Sequence, residues 1–313
     1  MTDGYSVVRE RLHRKSHDYF VFAHGRWDRA RQSMFYGATD ALLDSSQAAA
    51  SYGHFISSNI GAQLLACYGF LQALYVQQDA VITLSRAVGL KWHPNNDKRL
   101  KEIRDVRNRL TGHPALAGEH EKPQRLSSAI IPYADITQCG FRGHVYSENG
   151  FIGEDIEVDV AAFQKDNEER LSQQMQLVEE RMDEQERQFR IEQAARPFSS
   201  CFGTNFEYLV QRLHCDLSDT GRLGQAQAHA RMIRETIKML ENELVDRGFE
   251  REAHSWKIVL TGLDLLEAIM LRKSSSISTQ HEFDLIFDGL EKNIASLRAN
   301  ITAIDTKLRA PIP

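Results

Sequence analysis

The segment RDVRNRLTGHP, residues 104–114, contains an arginine, an asparagine and a histidine, which are residue types capable of binding an anion and moving a proton. Arg107 keeps its charge near neutral pH and can hold two phosphate oxygens through paired N–H groups. His113 has a side chain whose pKa lies near neutrality, so it can take up or release a proton. Asn108 can orient either group by hydrogen bonds. A catalytic Arg107–His113 pair, with Asn108 orienting it, is therefore one interpretation of the segment, and an ordinary helix end is the other.

A short helix must position these side chains. The pattern predicts a helix over 98–110, with Asn96 or Asp97 as its N-cap. Gly112 and the proline two positions later end it, because glycine releases a helix and proline does not continue one. The break at Gly112 would let His113 fold back toward the arginine.

The helical wheel separates Arg107 from the neighbouring polar residues. At about 100° per residue, Arg107 falls on the edge of the apolar stripe, whereas Arg104 and Asn108 fall off it. The stripe consists of Leu100, Ile103, Val106 and Leu110. A buried arginine is uncommon unless it is paired or used. The alternative is an ordinary helix end, where Arg and His in the last turn interact favourably with the helix dipole.

The string RNRLTGH, residues 107–113, resembles the R-x4-6-H motif of HEPN domains, in which a polar residue commonly follows the arginine. By pattern, the resemblance covers about residues 1–120. It implies a helical bundle with metal-independent endoribonuclease activity, as in toxins, anti-phage defence proteins and CRISPR-associated effectors. It also implies a composite active site, formed when two domains dimerise and their motifs face each other.

The resemblance also implies a mechanism and partners. RNA would supply its own 2′-OH as nucleophile, His113 would move the proton, and Arg107 would hold the phosphate while charge develops. The expected products are a 2′,3′-cyclic phosphate and a 5′-OH. We therefore expect a cytoplasmic, toxin-like or defence endoribonuclease without metal or other cofactor. It would act on RNA such as tRNA or mRNA as a homodimer or larger homo-oligomer. A regulatory protein would be a further partner.

Four further side chains are predicted to contact the RNA: Arg104, Arg109, Trp27 and Arg142. Trp27 lies among arginines in HGRWDRAR, where it can stack on a base or serve as a half-buried anchor. Arg142 lies two residues from His144 on one face of a predicted strand. These two can line an RNA surface, and an exposed sheet face explains them equally well.

Composition limits the classes of function. The 313 residues are 42% hydrophobic and 26% charged, and a net charge of −5 excludes a generally basic surface while allowing a local RNA-binding patch. The four scattered cysteines argue against a zinc ribbon or a disulfide scaffold. No apolar run reaches the ~18–20 residues that a membrane span needs, and we expect no signal peptide. P-loop, dinucleotide-binding and hydrolase-elbow motifs are absent from the sequence.

The pattern predicts a mainly α protein in three parts. Residues 1–122 form the HEPN-like helical domain, 123–160 a small antiparallel β insert, and 161–313 a long acidic helix followed by a C-terminal helical region. In the first part we expect one amphipathic helix over 5–31 and helix breaks near Gly37 and around 57–61.

The remaining elements follow from periodicity. Alternating, β-branched segments predict about three strands over 126–160, with a hairpin turn at the Asn-Gly pair at 149–150. A long helix over 160–196 carries a heptad-like seam of Leu171, Met175, Val178, Met182 and Phe189. Three or four more helices are predicted, over about 204–217, 221–247, 252–272 and 279–308.

Two other functions stay open. The first is a catalytically inactive HEPN-fold binding or scaffold module that recruits a partner protein through its helical C-terminal half. The second is a purely structural assembly protein, suggested by the long seam. In that case Arg107 would pair with a nearby acid such as Glu102 or Asp105, and there would be no basic cleft.

Overall fold

The computed structural model of the chain describes residues 4–55, 59–112, 128–146, 152–249, 251, 255–271 and 277–311. These residues are mainly helical and include one three-stranded antiparallel sheet, which confirms the predicted fold class. The chain divides into two compact units, residues 1–22 with 27–184 and residues 23–26 with 185–313. The division after residue 184 lies inside the long helix Val160–Ala194, which follows the sheet, so the sheet belongs to the first unit.

Among the described residues before the sheet, the α-helices are α1 (Tyr5–Asp18), α2 (Phe20–Ala23), α3 (Arg29–Ala50), α4 (Tyr52–Phe55), α5 (Ile60–Ala87) and α6 (Lys98–Arg107). Side chains of Asp28, Asn59 and Asp97 cap α3, α5 and α6 by accepting hydrogen bonds from backbone N–H groups. Of the two N-caps predicted for α6, Asp97 is therefore the residue that caps this helix.

Two predicted boundaries differ from the structure. The single helix predicted over 5–31 is interrupted first at Tyr19, whose backbone is extended with a ψ of 108°. It is interrupted again at Gly25, which has a φ of 71° in the left-handed region, and Asp28 then starts a new helix. The break predicted near Gly37 does not occur. A helical glycine costs only about 1 kcal/mol, and α3 buries Phe35 and Leu42 on either side of it.

The sheet has the order β1-β2-β3, with β1 (Ser128–Ile130), β2 (Gly140–Tyr146) and β3 (Ile152–Asp159) all antiparallel. The predicted Asn-Gly turn lies outside the described residues. Phe141 of β2 and Ile156 and Val158 of β3 are buried in one hydrophobic cluster with residues of α5 and α6. The sheet therefore packs on the helices that carry the motif.

Helix α7 (Val160–Ala194) follows β3 directly, with Asp159 accepting a hydrogen bond from the backbone N–H of Ala162 at 2.8 Å. The predicted seam residues are all buried. The heptad-like spacing therefore identified the packed face of this helix correctly.

The second unit contains α8 (Phe206–Leu217), α9 (Leu223–Asp246), α10 (Ser255–Leu271) and α11 (Ile277–Arg309), in agreement with the four ranges predicted to be helical. Buried Asp305 of α11 accepts hydrogen bonds from the backbone N–H groups of Phe198 and Ser199, both at 2.9 Å. These bonds fix the start of the 3₁₀ turn Phe198–Phe202. None of the described helices is long and apolar enough to cross a membrane.

Candidate active site

The last turn of α6 places Arg107 beside α5. Leu100, Ile103 and Val106 are buried, so they fix the face that α6 turns toward the core. Arg107 is partly exposed at the edge of this face, where the wheel places it. The negative end of the helix dipole also favours cations in this turn.

A π-helical turn, Asn108–Gly112, follows α6 directly. Leu110 stays in the core at 2% exposure, whereas Asn108 is exposed. The Thr111 hydroxyl donates a hydrogen bond to the Arg107 carbonyl at 2.9 Å. Such turns are rare and are frequently found at functional sites. His113, the next residue, lies outside the described residues.

Neutral groups hold the Arg107 guanidinium. Its Nε and Nη2 donate to Gln72 Oε1 at 3.1 and 2.8 Å, and its Nη1 donates to Asn108 Oδ1 at 3.0 Å. The Arg107 Cζ also lies 4.4 Å from the ring centroid of Tyr75. The structure thus brings together two residues predicted to be catalytic, Arg107 and Asn108.

Tyr75 also contacts Arg104, one of the predicted RNA-binding residues. The Arg104 Cζ lies 4.0 Å from the ring centroid, and its Nη1 donates to Asp79 Oδ1 at 2.8 Å. Gln72, Tyr75 and Asp79 are spaced at i, i+3 and i+7, so they share one face of α5. Sequence reasoning missed these three. Their helical spacing shows that they share a face of α5, but it does not connect them to α6.

Within the described part of the chain, Arg107 differs from the arginines around it because no carboxylate is paired with it. Ion pairs join Arg99 to Asp166, Arg104 to Asp79, Arg109 to Glu154 and Arg142 to Glu157. Across the described ranges, no carboxylate lies within ion-pair distance of Arg107. Among the described residues, the positive charge of Arg107 is therefore not neutralised by an ion pair.

Two other predicted RNA-binding residues, Arg109 and Arg142, form ion pairs with carboxylates of β3. The two terminal nitrogens of Arg109 donate to the two oxygens of Glu154 at 2.8 and 2.7 Å. These hydrogen bonds raise the pKa of Arg109 and lower the pKa of Glu154. Arg142 is exposed on the outer face of the sheet, where hydrogen bonding to Glu157 raises its pKa. A phosphate must displace a carboxylate to reach either arginine.

Trp27 lies in an aromatic cluster, apart from Arg107. It is 3% exposed, and its ring centroid is 5.9 Å from that of Tyr19, 4.6 Å from Phe22 and 5.9 Å from Phe35. Arg31 covers the ring at 4.2 Å. Trp27 is therefore an anchor in the core, which was the alternative to base stacking. Its ring has no open face for a base.

A groove of about 490 Å³ lies between α6 and β3. Its lining carries both signs of charge, with Lys98, Lys101 and Arg109 facing Glu102, Glu154 and Glu157 among others. It is therefore mixed in charge rather than basic. Within the parts of the chain that the structure describes, no group of three or more His, Cys, Asp or Glu side chains is arranged to hold a metal ion.

Comparisons with protein-family models, with curated proteins and with solved structures find no match to this chain.

Proposed function

We propose that this protein is a metal-independent endoribonuclease of the HEPN type, acting as a toxin-like or anti-phage defence effector. Arg107 binds the scissile phosphate, Asn108 orients the arginine, and His113 transfers the proton. The observation that carries the proposal is the state of Arg107. It is held by neutral acceptors, while the arginines on either side of it are neutralised by carboxylates.

The hydrogen bonds of Arg107 leave two of its N–H groups for a phosphate. A guanidinium has five N–H groups, and three hydrogen bonds engage Nε, Nη2 and Nη1. One N–H on each terminal nitrogen is left for a ligand. Two parallel N–H groups fit two oxygens of a phosphate and carry a full positive charge. Arg107 therefore suits the anion that forms during phosphodiester cleavage.

The proposed reaction needs no external nucleophile. The 2′-oxygen forms a bond to phosphorus while the bond from phosphorus to the 5′-oxygen breaks, which gives a 2′,3′-cyclic phosphate and a 5′-OH. A base removes the 2′-OH proton and an acid protonates the leaving 5′-oxygen. His113 is assigned to this proton transfer, and Arg107 stabilises the negative charge on the phosphate oxygens.

A second copy of the chain is the proposed partner at this site. Leu65, Tyr68, Gly69 and Gln72 share one face of α5, and Leu65 and Tyr68 are 71% and 40% exposed. An apolar groove of about 460 Å³ at Leu65 and Phe55 adjoins them. Because this apolar face ends at Gln72 and Arg107, covering it with a two-fold copy would bring two motifs together.

The test is incubation of total RNA and purified tRNA with the protein in EDTA. We expect cleavage to 2′,3′-cyclic phosphate ends by wild type. Arg107→Ala and His113→Ala should each lower the rate on the order of 100-fold or more, with unchanged circular dichroism. Arg86→Ala, an exposed arginine on α5, is the charge-matched control and should retain activity. Full activity in His113→Ala would contradict the proposal.

The alternative is an inactive binding module, and α10 provides the observation in its favour. Ile258, Leu265 and Leu271 are exposed although the opposite face of this helix is buried. These three side chains make part of the outer face of α10 apolar, although Lys257 and Asp264 are exposed there as well, and an exposed apolar patch suits a protein partner. RNA left intact by wild type, together with loss of a protein complex on Leu265→Glu, would favour this module. The pairing of Arg107 with Glu102 or Asp105, expected for a purely structural protein, does not occur.

A further inference from the structure

Gln72 is an exposed residue of α5 whose amide oxygen accepts two hydrogen bonds from Arg107. The two bonds, at 3.1 and 2.8 Å, engage Nε and Nη2, which form one edge of the guanidinium. The ring of Tyr75, one turn further along α5, contacts the same guanidinium at 4.4 Å. Two neutral groups of α5 therefore fix both the rotation and the position of the Arg107 side chain.

We propose that Gln72 is a positioning residue for Arg107 and that its neutrality is required. It holds one edge of the guanidinium so that the remaining N–H groups face the scissile phosphate. This inference rests on the proposed nuclease function and adds to it a residue outside the RNRLTGH motif. Gln72 contacts the arginine and acts only through it.

The neutrality of Gln72 separates it from the side chains that accept from the neighbouring arginines Arg104 and Arg109. Asp79 accepts from Arg104 and Glu154 accepts from Arg109, and each pair cancels the charge of its arginine. A carboxylate in place of Gln72 would do the same to Arg107. An amide oxygen accepts the same hydrogen bonds without adding negative charge, so the cation stays available for phosphate.

Holding the side chain also favours binding. A free arginine samples many rotamers, and this freedom is lost when it grips a phosphate. The bonds to Gln72 and Asn108 restrict the guanidinium before substrate arrives. Less entropy is then lost in the transition state, which is the general benefit of preorganisation.

The test uses the full-length chain and a short RNA oligonucleotide in EDTA, with cleavage and salt-dependent binding measured for each variant. Gln72→Glu places a carboxylate of the same length against Arg107, and Gln72→Met removes the acceptor without adding charge. Gln173→Glu, at an exposed glutamine on α7, is the control with the same change in charge. Arg107→Ala and Gln72→Glu/Arg107→Ala complete a double-mutant cycle.

We expect Gln72→Glu to lower kcat/KM on the order of 100-fold, close to Arg107→Ala. It should also reduce the salt dependence of RNA binding by about one phosphate contact. The double variant should be no worse than Arg107→Ala alone. Gln72→Met should lower kcat/KM about 10-fold with the salt dependence retained, because the charge is kept and only its orientation is lost.

Different outcomes overturn different statements. Wild-type cleavage by Gln72→Glu or by Gln72→Met, with Arg107→Ala inactive, removes the positioning role and leaves the nuclease intact. Full activity in Arg107→Ala instead removes the proposed function. A purely structural effect at Gln72 would lower the thermal stability and leave the salt dependence of RNA binding unchanged in Gln72→Glu, and this result also overturns the inference.

Discussion

Gly143 of β2 lies directly against Leu110 of the π-helical turn, so close that a methyl group on Gly143 would come within 2.4 Å of Leu110 Cδ2. Leu110 belongs to the hydrophobic cluster that joins α5, α6 and the sheet. The strand therefore supports the turn that carries Asn108. The conformation of the motif depends in this way on the packing of the sheet.

Gly143→Ala tests this support. Because Leu110 is buried in a packed core, the added methyl group must displace it or the strand, and overpacking of this kind costs about 1–3 kcal/mol. We expect the free energy of unfolding to fall by this amount, measured by chemical denaturation. Gly37→Ala is the control, since a methyl group there would meet nothing within 4 Å. In a helix interior that change should stabilise the protein by up to about 1 kcal/mol. Equal destabilisation by both variants would contradict the prediction.

The elements could be predicted where periodicity and capping agree. Asp97 and the apolar stripe of α6 define that helix, and the heptad-like spacing in α7 identifies its buried face. The division of the chain could not be read in this way. The predicted parts meet at residues 160 and 161, where the β insert gives way to the long helix, and the compact units divide inside α7, after residue 184. Continuous helical periodicity contains no signal for where tertiary contacts change from one core to another.

The candidate site was predicted only in part, for a similar reason. The helical wheel placed Arg107 at the edge of the apolar stripe, because that placement depends only on the sequence of α6. Gln72 and Tyr75 lie on another helix, and no spacing in the sequence connects them to Arg107. The ion pair between Arg109 and Glu154 likewise depends on how β3 packs beside the turn. Long-range partners of this kind require the tertiary structure.

The apolar face of α5 leads to a prediction about assembly. Leu65→Glu places a charge at the centre of the proposed contact between two copies, where burying an unpaired carboxylate is costly. We expect sedimentation velocity to show a shift from dimer to monomer. RNA cleavage should fall at least 10-fold at matched concentration, because each composite site needs two chains.

An equally exposed leucine provides the control for this assembly test. Leu285 of α11 is 68% exposed, close to the 71% of Leu65. Leu285→Glu should leave both the sedimentation coefficient and RNA cleavage unchanged. If Leu65→Glu remained a dimer with full activity, the contact would have to lie on another surface. If both variants were monomeric, the effect would reflect added charge rather than the α5 face.

The sheet carries a histidine held between two acids. His144 Nδ1 lies 2.7 Å from Asp155 Oδ1, and its Nε2 lies 3.1 Å from Asp135 Oδ2. The hydrogen bond to Asp155, followed by the one to Asp135, raises the pKa of His144 against the opposing effect of desolvation. A protonated imidazole donates from both nitrogens, so it can satisfy both carboxylates at once.

We expect this arrangement to make stability fall as the pH rises. Because the pKa of His144 is higher in the folded than in the unfolded state, its contribution is complete below the unfolded pKa. It is lost as the pH rises through the folded pKa. The difference in free energy of unfolding between wild type and His144→Gln should therefore be largest near about pH 5–6 and shrink toward about pH 9. His54→Gln, at an exposed histidine of α4, is the control and should follow wild type. A constant difference for His144→Gln across this range would show that protonation of the imidazole does not stabilise the sheet.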